Sequence, residues 1–275
     1  MNKLSQELNS SERERLATHE TTVKAGLQTF YEVGSALLAI REGKLYRQDF
    51  ATFEDYCHKR WGFVASRARQ LIGAAEVVAN LESVTDVTLS NEAQARVIAP
   101  LMPESQQAVW RFAVYTAPVV NGNPVISTPH IKKALHTVEL LEQYGWKGDL
   151  QPDRALLIDP ELRALLPLHE PYIWEQLERS LLEFGKPIAP LDVWGKTMLD
   201  GHARYLICMK HGLPFEVTQR EFDSLSAAKI FILESQLLRK NYTPDEIAAI
   251  TVDMETYQAA SIGAASLDHC DKPAA

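Results

Sequence analysis

Apolar positions in the first half of the chain recur at three- and four-residue steps. In "TTVKAGLQTFYEVGSALLAIREGKLY" they are Phe30, Val33, Leu37 and Ile40, the stripe of an amphipathic helix. "ATFEDYCHKRWGFVASRARQLIGAAEVVANL" reads as two helices broken at Trp61, Gly62 and Phe63. Thr52 is placed to cap the first, with Asp55 standing in for the usual Glu of a capping box. Ala68, Leu71, Ile72, Ala75 and Ala79 form the apolar stripe of the second. Residues 90–115 are again helical, punctuated at Pro100 and Pro103. A Pro/Asn/Gly turn region, "APVVNGNPV", then leads into a helix after Thr128.

The pattern changes after "YGWKGDLQPD", a stretch whose Gly, Pro and polar residues predict a linker over 144–154. "APLDVW" and "KTML" are short apolar runs separated by Gly195 and closed by Asp200-Gly201, as in a strand pair. A helix follows from His202 to about Lys210, with Gly212 as its cap, and "PFEVTQREF" offers another strand. "SLSAAKIFILESQLLRK" and the stretch from Thr243-Pro244 predict two more helices. The expected class is α+β: an all-α domain over 21–143, after a polar segment 1–20, and a small mixed α/β domain over 155–250. Residues 251–275 read as an acidic, partly disordered tail.

Composition alters this picture only in places. Of 275 residues, 46% are hydrophobic, and no apolar run approaches the length that spans a bilayer. The polar start lacks the apolar core of a signal peptide, so a cytoplasmic protein with no membrane partner is expected. Cys57, Cys208 and Cys270 lie far apart, against a disulfide framework or a cysteine-rich zinc site. The net charge of −8 argues against nucleic acid until it is divided. Residues 41–72 carry seven basic and four acidic groups, net +3, whereas 241–275 carry one Lys and six acids, net −5.

The local basic charge falls on the helix pair at 53–78, which has the spacing of a helix-turn-helix. With the apolar stripe turned inward, Ser66, Arg67, Arg69 and Gln70 face outward, and Lys59 and Arg60 end the preceding helix. On the second helix Arg can fork onto guanine, Gln onto adenine and Ser onto phosphate, while Lys59 and Arg60 can hold backbone phosphates. A solvated face of a small bundle has the same composition. "FYEVGSALLAIREGKLYR" with "FATFEDYCHKRWGFVASRARQLIGAAEVVANL" resembles an amino-terminal module of plasmid, phage and integrative-element proteins. That resemblance implies double-stranded DNA as partner.

Candidate chemistry in the second half concentrates in "TMLDGHARYLICMKHGLPF". His202 and His211 fall on opposite faces of a helix, and Cys208 with His211 gives only two ligands, so no metal site is expected. Cys208 among Leu206, Ile207 and Met209 is a buried, inert thiol rather than a nucleophile. Two readings of the turn remain open. Gly201 and the helix start can cradle an anion, with Arg204 forking onto phosphate and His202 donating to it. The same residues also suit a plain strand-to-helix turn.

"LLIDPELRALLPLHEPYIWEQLERSLLEFGKPIAPLDVWGKTMLDGHARYLICMKHGLPFEV" resembles the ParB/sulfiredoxin superfamily, and "QLLRKNYTPDE" is similar to the second box of ParB proteins. The resemblance implies a nucleotide-phosphate site at Gly201, His202, Arg204, Arg239 and Asn241, holding CTP or ATP with Mg²⁺. It also implies a homodimer, a ParA-like ATPase partner, and a role in plasmid partition, replication control or transcriptional regulation. His202 and Ala203 depart from the Glu and Arg of ParB proteins, and Ser235-Gln236 replaces their acidic and amide pair. Alternatives are a nuclease or a nucleotide-dependent kinase or NTPase, with Asp200, His202 and Glu234 as candidate catalytic groups. A third is an interaction scaffold with a vestigial site.

Overall fold

Helices of the first half close on one another where a glycine lets two backbones meet. The computed structural model describes residues 7–25, 30–148, 150–167, 170–238 and 243–267. Over these the chain is α+β, mainly helical, with two small sheets. It divides into two compact units, Met1–Lys132 and Lys133–Ala275.

In the first unit, α1 (Ser10–Ala25) precedes α2 (Phe30–Glu42), α3 (Phe53–Trp61) and α4 (Ala65–Leu81). Val33, Leu37 and Ile40 meet Phe53, Tyr56 and Cys57 of α3 and Ala68, Leu71 and Ile72 of α4 in one buried cluster. Gly34 sets the approach of α2 to α4: a Cβ there would lie 2.1 Å from Leu71 O and 2.8 Å from Ala75 Cβ. Both ends of α3 are fixed. Thr52 Oγ1 accepts from Asp55 N at 3.0 Å, and Gly62, at φ 70°, donates its N–H to His58 O.

Burial of α4 covers a wider arc than the expected stripe. Ala74 and Val77 are buried with Ala68, Leu71, Ile72 and Ala75, whereas Ala79 is exposed. The cause is a second neighbour, because α4 also packs against α5 (Glu92–Ile98) and α6 (Pro103–Thr116). Trp110 of α6 is fully buried and donates its Nε1–H to Thr85 Oγ1 and Val87 O. The turn region after α6 forms a hairpin of β1 (Val119–Val120) and β2 (Asn123–Pro124), turning on Asn121 and Gly122 at positive φ. This corrects the all-α expectation for 21–143.

The division between units falls inside α7 (Thr128–Gln143). Lys133 pairs with Asp159 at 2.6 Å, and Thr137 Oγ1 accepts from Ile158 N at 2.8 Å. The stretch 144–154, expected as a linker, is packed into the second unit. Trp146 and Leu150 are buried, and Arg154 donates to Cys208 O, Gly212 O and Leu213 O. Those carbonyls close the end of α10 (His202–His211), so the arginine serves as its cap.

The sheet of the second unit has the order β4-β3-β5. β3 (Leu191–Trp194) and β4 (Thr197–Asp200) are the antiparallel pair expected about Gly195, and β5 (Val217–Gln219) joins β3 in parallel. Leu162 of α8 (Pro160–Arg163) is buried with Leu199 of β4 and with Ala228 and Ile232 of α11 (Leu225–Leu237). α9 (Pro171–Phe184) lies against α10, and α12 (Pro244–Leu267) against α11. α12 thus runs through 251–267 of the expected tail, and the remainder lies outside the described residues. Among the described residues no helix is long and apolar enough to cross a membrane.

Candidate functional site

β4 ends in Asp200, Gly201 takes φ 88° and ψ 19°, and α10 starts at once with His202. A glycine N-cap offers no side chain to the first-turn N–H groups of the helix, and the helix dipole adds positive potential there. A cavity of about 300 Å³ opens at this point. Asp200, His202 and Arg204 line it from the turn, Arg163 from the end of α8, and Gln236 from α11. Leu166 and Leu177 supply an apolar side.

His202 is buried, and neither ring nitrogen has a hydrogen-bond partner among the described residues. Burial pushes its pKa down to about 3, the Arg163 charge adds to this, and Asp200 opposes it. At neutral pH the ring is therefore uncharged, with one N–H to donate and one lone pair to accept. Such a group, enclosed beside a cavity, costs free energy unless a ligand or water satisfies it.

Arg204, expected to fork onto phosphate, is engaged within the chain. Nη1 donates to Ala189 O at 2.6 Å and to Pro190 O at 2.8 Å, and Nη2 pairs with Asp200 at 3.1 Å. Its guanidinium lies across Gly201, where a Cβ would come within 2.9 Å of Nη2 and 2.7 Å of Leu191 Cδ2. Gly201 is thus required twice, for its positive φ and for these close neighbours.

Arg163 is in the opposite situation. It is half-buried, and its Nη1 donates to Leu166 O at 3.2 Å. It has no carboxylate partner among the described residues, and burial pulls its pKa below the ordinary arginine range. Glu234 is exposed and does not line the cavity, which separates it from Asp200 and His202. Arg239 and Asn241 lie outside the described residues.

The donor set suits phosphoryl oxygens better than a protein-held Mg²⁺. Mg²⁺ is ordinarily bound through carboxylates together with substrate phosphates. Asp200, the carboxylate on the cavity wall, is already paired with Arg204, and no cluster of three or more His, Cys, Asp or Glu side chains able to hold a metal occurs among the described residues. Cys208 is buried, which pushes its thiol up to about 11, and His211 contacts Glu178 together with Lys210.

In the first unit the expected DNA-facing residues divide into two groups. Lys59, Ser66, Arg69 and Gln70 are exposed, with Arg69 Nε donating to Ala65 O within its own helix. Arg60 pairs with Glu20 at 2.9 Å, and Arg67 pairs with Glu92, which also holds Arg96. Two guanidiniums of the face therefore already have acidic partners in the chain.

No protein-family model matches the chain, and no curated protein or solved structure matches it. Arg163 and Gln236 are the polar cavity residues that sequence reasoning left out of the site. Arg163 had a signal, an arginine set among the leucines of "ELRALLPL". Gln236 stood at the departed position of the second box, and its burial beside the cavity became legible only in three dimensions.

Proposed function

We propose that the second unit is a nucleotide-phosphate-binding domain of the ParB/sulfiredoxin kind, and the first a helix-turn-helix DNA-binding module. The protein would act on double-stranded DNA of a bacterial mobile element, in partition, replication control or transcriptional regulation. The observation that carries this reading is the cavity at the start of α10, where buried His202 and half-buried Arg163 flank a glycine-capped helix N-terminus. Its combination of cation, neutral imidazole and helix N–H groups matches the oxygens of a phosphoryl group. CTP and ATP are the ligands of choice, with any Mg²⁺ arriving on the nucleotide. A homodimer and a ParA-like ATPase partner belong to the same reading.

Isothermal titration of the full chain with CTP, ATP and ADP, with and without Mg²⁺, tests the site. Saturable binding of at least one nucleotide is expected, and absence of heat with all three overturns the reading. A mobility-shift titration with duplex DNA tests the first unit, with salt-sensitive retardation as the expected result.

A further inference from the structure

We propose that Arg163, not Arg204, supplies the positive charge that holds the phosphoryl group in this cavity, with Arg204 acting as the latch that shapes it. The assignment rests on the phosphate-site reading above and deepens it.

The two arginines differ in what they already hold. Arg204 makes three hydrogen bonds within the chain, to Ala189 O, Pro190 O and Asp200, so its charge is balanced and its fork is directed at the loop before β3. Turning it toward a ligand would leave two carbonyls and a carboxylate without it. Arg163 gives up nothing comparable, since among the described residues its side chain makes a single hydrogen bond, to Leu166 O. A half-buried guanidinium with no carboxylate partner among the described residues is costly to the folded chain. An anion in the cavity removes that cost.

The position of Arg163 is built rather than incidental. Asp159 caps α8 through the Glu161 N–H at 2.9 Å and is itself paired with Lys133. Arg163 N donates to Asp159 O at 2.8 Å, and the adjacent Leu162 is buried against Leu199 of β4. The end of α8 is thereby fixed relative to the strand that leads into Gly201. His202, buried and without a partner for either ring nitrogen among the described residues, lines the same cavity as a second, uncharged contact. At about 300 Å³ the cavity is at the lower end of small-molecule pockets, which suits a phosphoryl end rather than a whole nucleotide.

The test compares wild type, Arg163→Gln and Arg163→Lys by titration with CTP, ATP, ADP and inorganic pyrophosphate, with thermal melting of each ligand-free protein. Arg163→Gln is expected to weaken binding by at least about tenfold. Arg163→Lys is expected to retain part of the affinity, because the charge remains and the fork is lost. The ligand-free melting temperature of Arg163→Gln should equal or exceed that of wild type, since the variant removes an uncompensated charge. An arginine with only a structural role would instead lower it. If wild type binds and Arg163→Gln binds equally well, the assignment of Arg163 is wrong and the phosphate site stands. If wild type binds none of the four, both fail. Should Arg163→Gln not fold, Arg163→Met, which keeps an apolar stem without the charge, decides: weakened binding supports the assignment and wild-type binding overturns it.

Discussion

The guanidinium of Arg204 lies over Gly201, so close that a Cβ at 201 would sit 2.9 Å from Nη2. The same glycine stands at φ 88°, in the left-handed region. Gly201→Ala therefore meets two penalties, a strained backbone of about 1–2 kcal/mol and displacement of the arginine from Ala189 O and Pro190 O. Denaturant unfolding should report a loss of about 2–4 kcal/mol, and nucleotide titration a loss of binding. Unchanged stability would show that neither the positive φ of Gly201 nor its contact with Arg204 constrains this turn.

Two helical glycines of the first unit should respond to alanine with opposite sign. At Gly34 the new Cβ meets the carbonyl oxygen of Leu71 at 2.1 Å, so α2 and α4 must separate. Overpacking of this kind costs about 1–3 kcal/mol, against a gain of about 1 kcal/mol from helix propensity. At Gly73 no neighbouring atom of the described residues lies within 4 Å, and the propensity gain remains. Gly34→Ala should lower the melting temperature and Gly73→Ala raise it, by a few degrees each.

The periodic parts of the chain were legible before the structure. The α3 cap at Thr52, the strand pair about Gly195 and the glycine-bounded α10 follow from local chemistry, which acts over a few residues. Long-range relations were not legible in that way. Arg163 and His202 are far apart in sequence, and the bridge of Leu157 to β4 and the packing of Leu162 on Leu199 bring their elements to one cavity. The linker reading of 144–154 failed for a similar reason. Its Gly and polar residues signal irregular backbone, but Trp146, Leu150 and Arg154 make that backbone part of a packed unit.

His202 should make stability depend on pH. Its folded-state pKa of about 3 lies below the ordinary value of 6.5, so between these values the unfolded chain binds a proton that the folded chain does not. Stability is then complete above pH 6.5 and falls as pH drops toward 3, by about 1.4 kcal/mol per pH unit. His19, whose pKa is also lowered by partial burial, adds to the same trend. Urea unfolding between pH 7 and 5 should show a shallower slope for His202→Gln than for wild type. Parallel curves would place the ring in a hydrated environment.

The helix pair proposed to meet DNA carries its own restraint, because Glu92 holds Arg67 of α4 and Glu20 holds Arg60 of α3. If α4 enters a groove, Glu92→Gln releases Arg67 and removes a nearby negative charge, so affinity for duplex DNA should rise. Arg69→Ala and Lys59→Ala should weaken it, each lowering the salt-dependence slope by about one for every phosphate that the variant no longer neutralises. Mobility shifts at several salt concentrations measure both effects. Equal binding by wild type, Glu92→Gln and Arg69→Ala would move the DNA-binding surface away from α4. Absence of salt-sensitive binding in all of them would remove DNA as a partner of this unit.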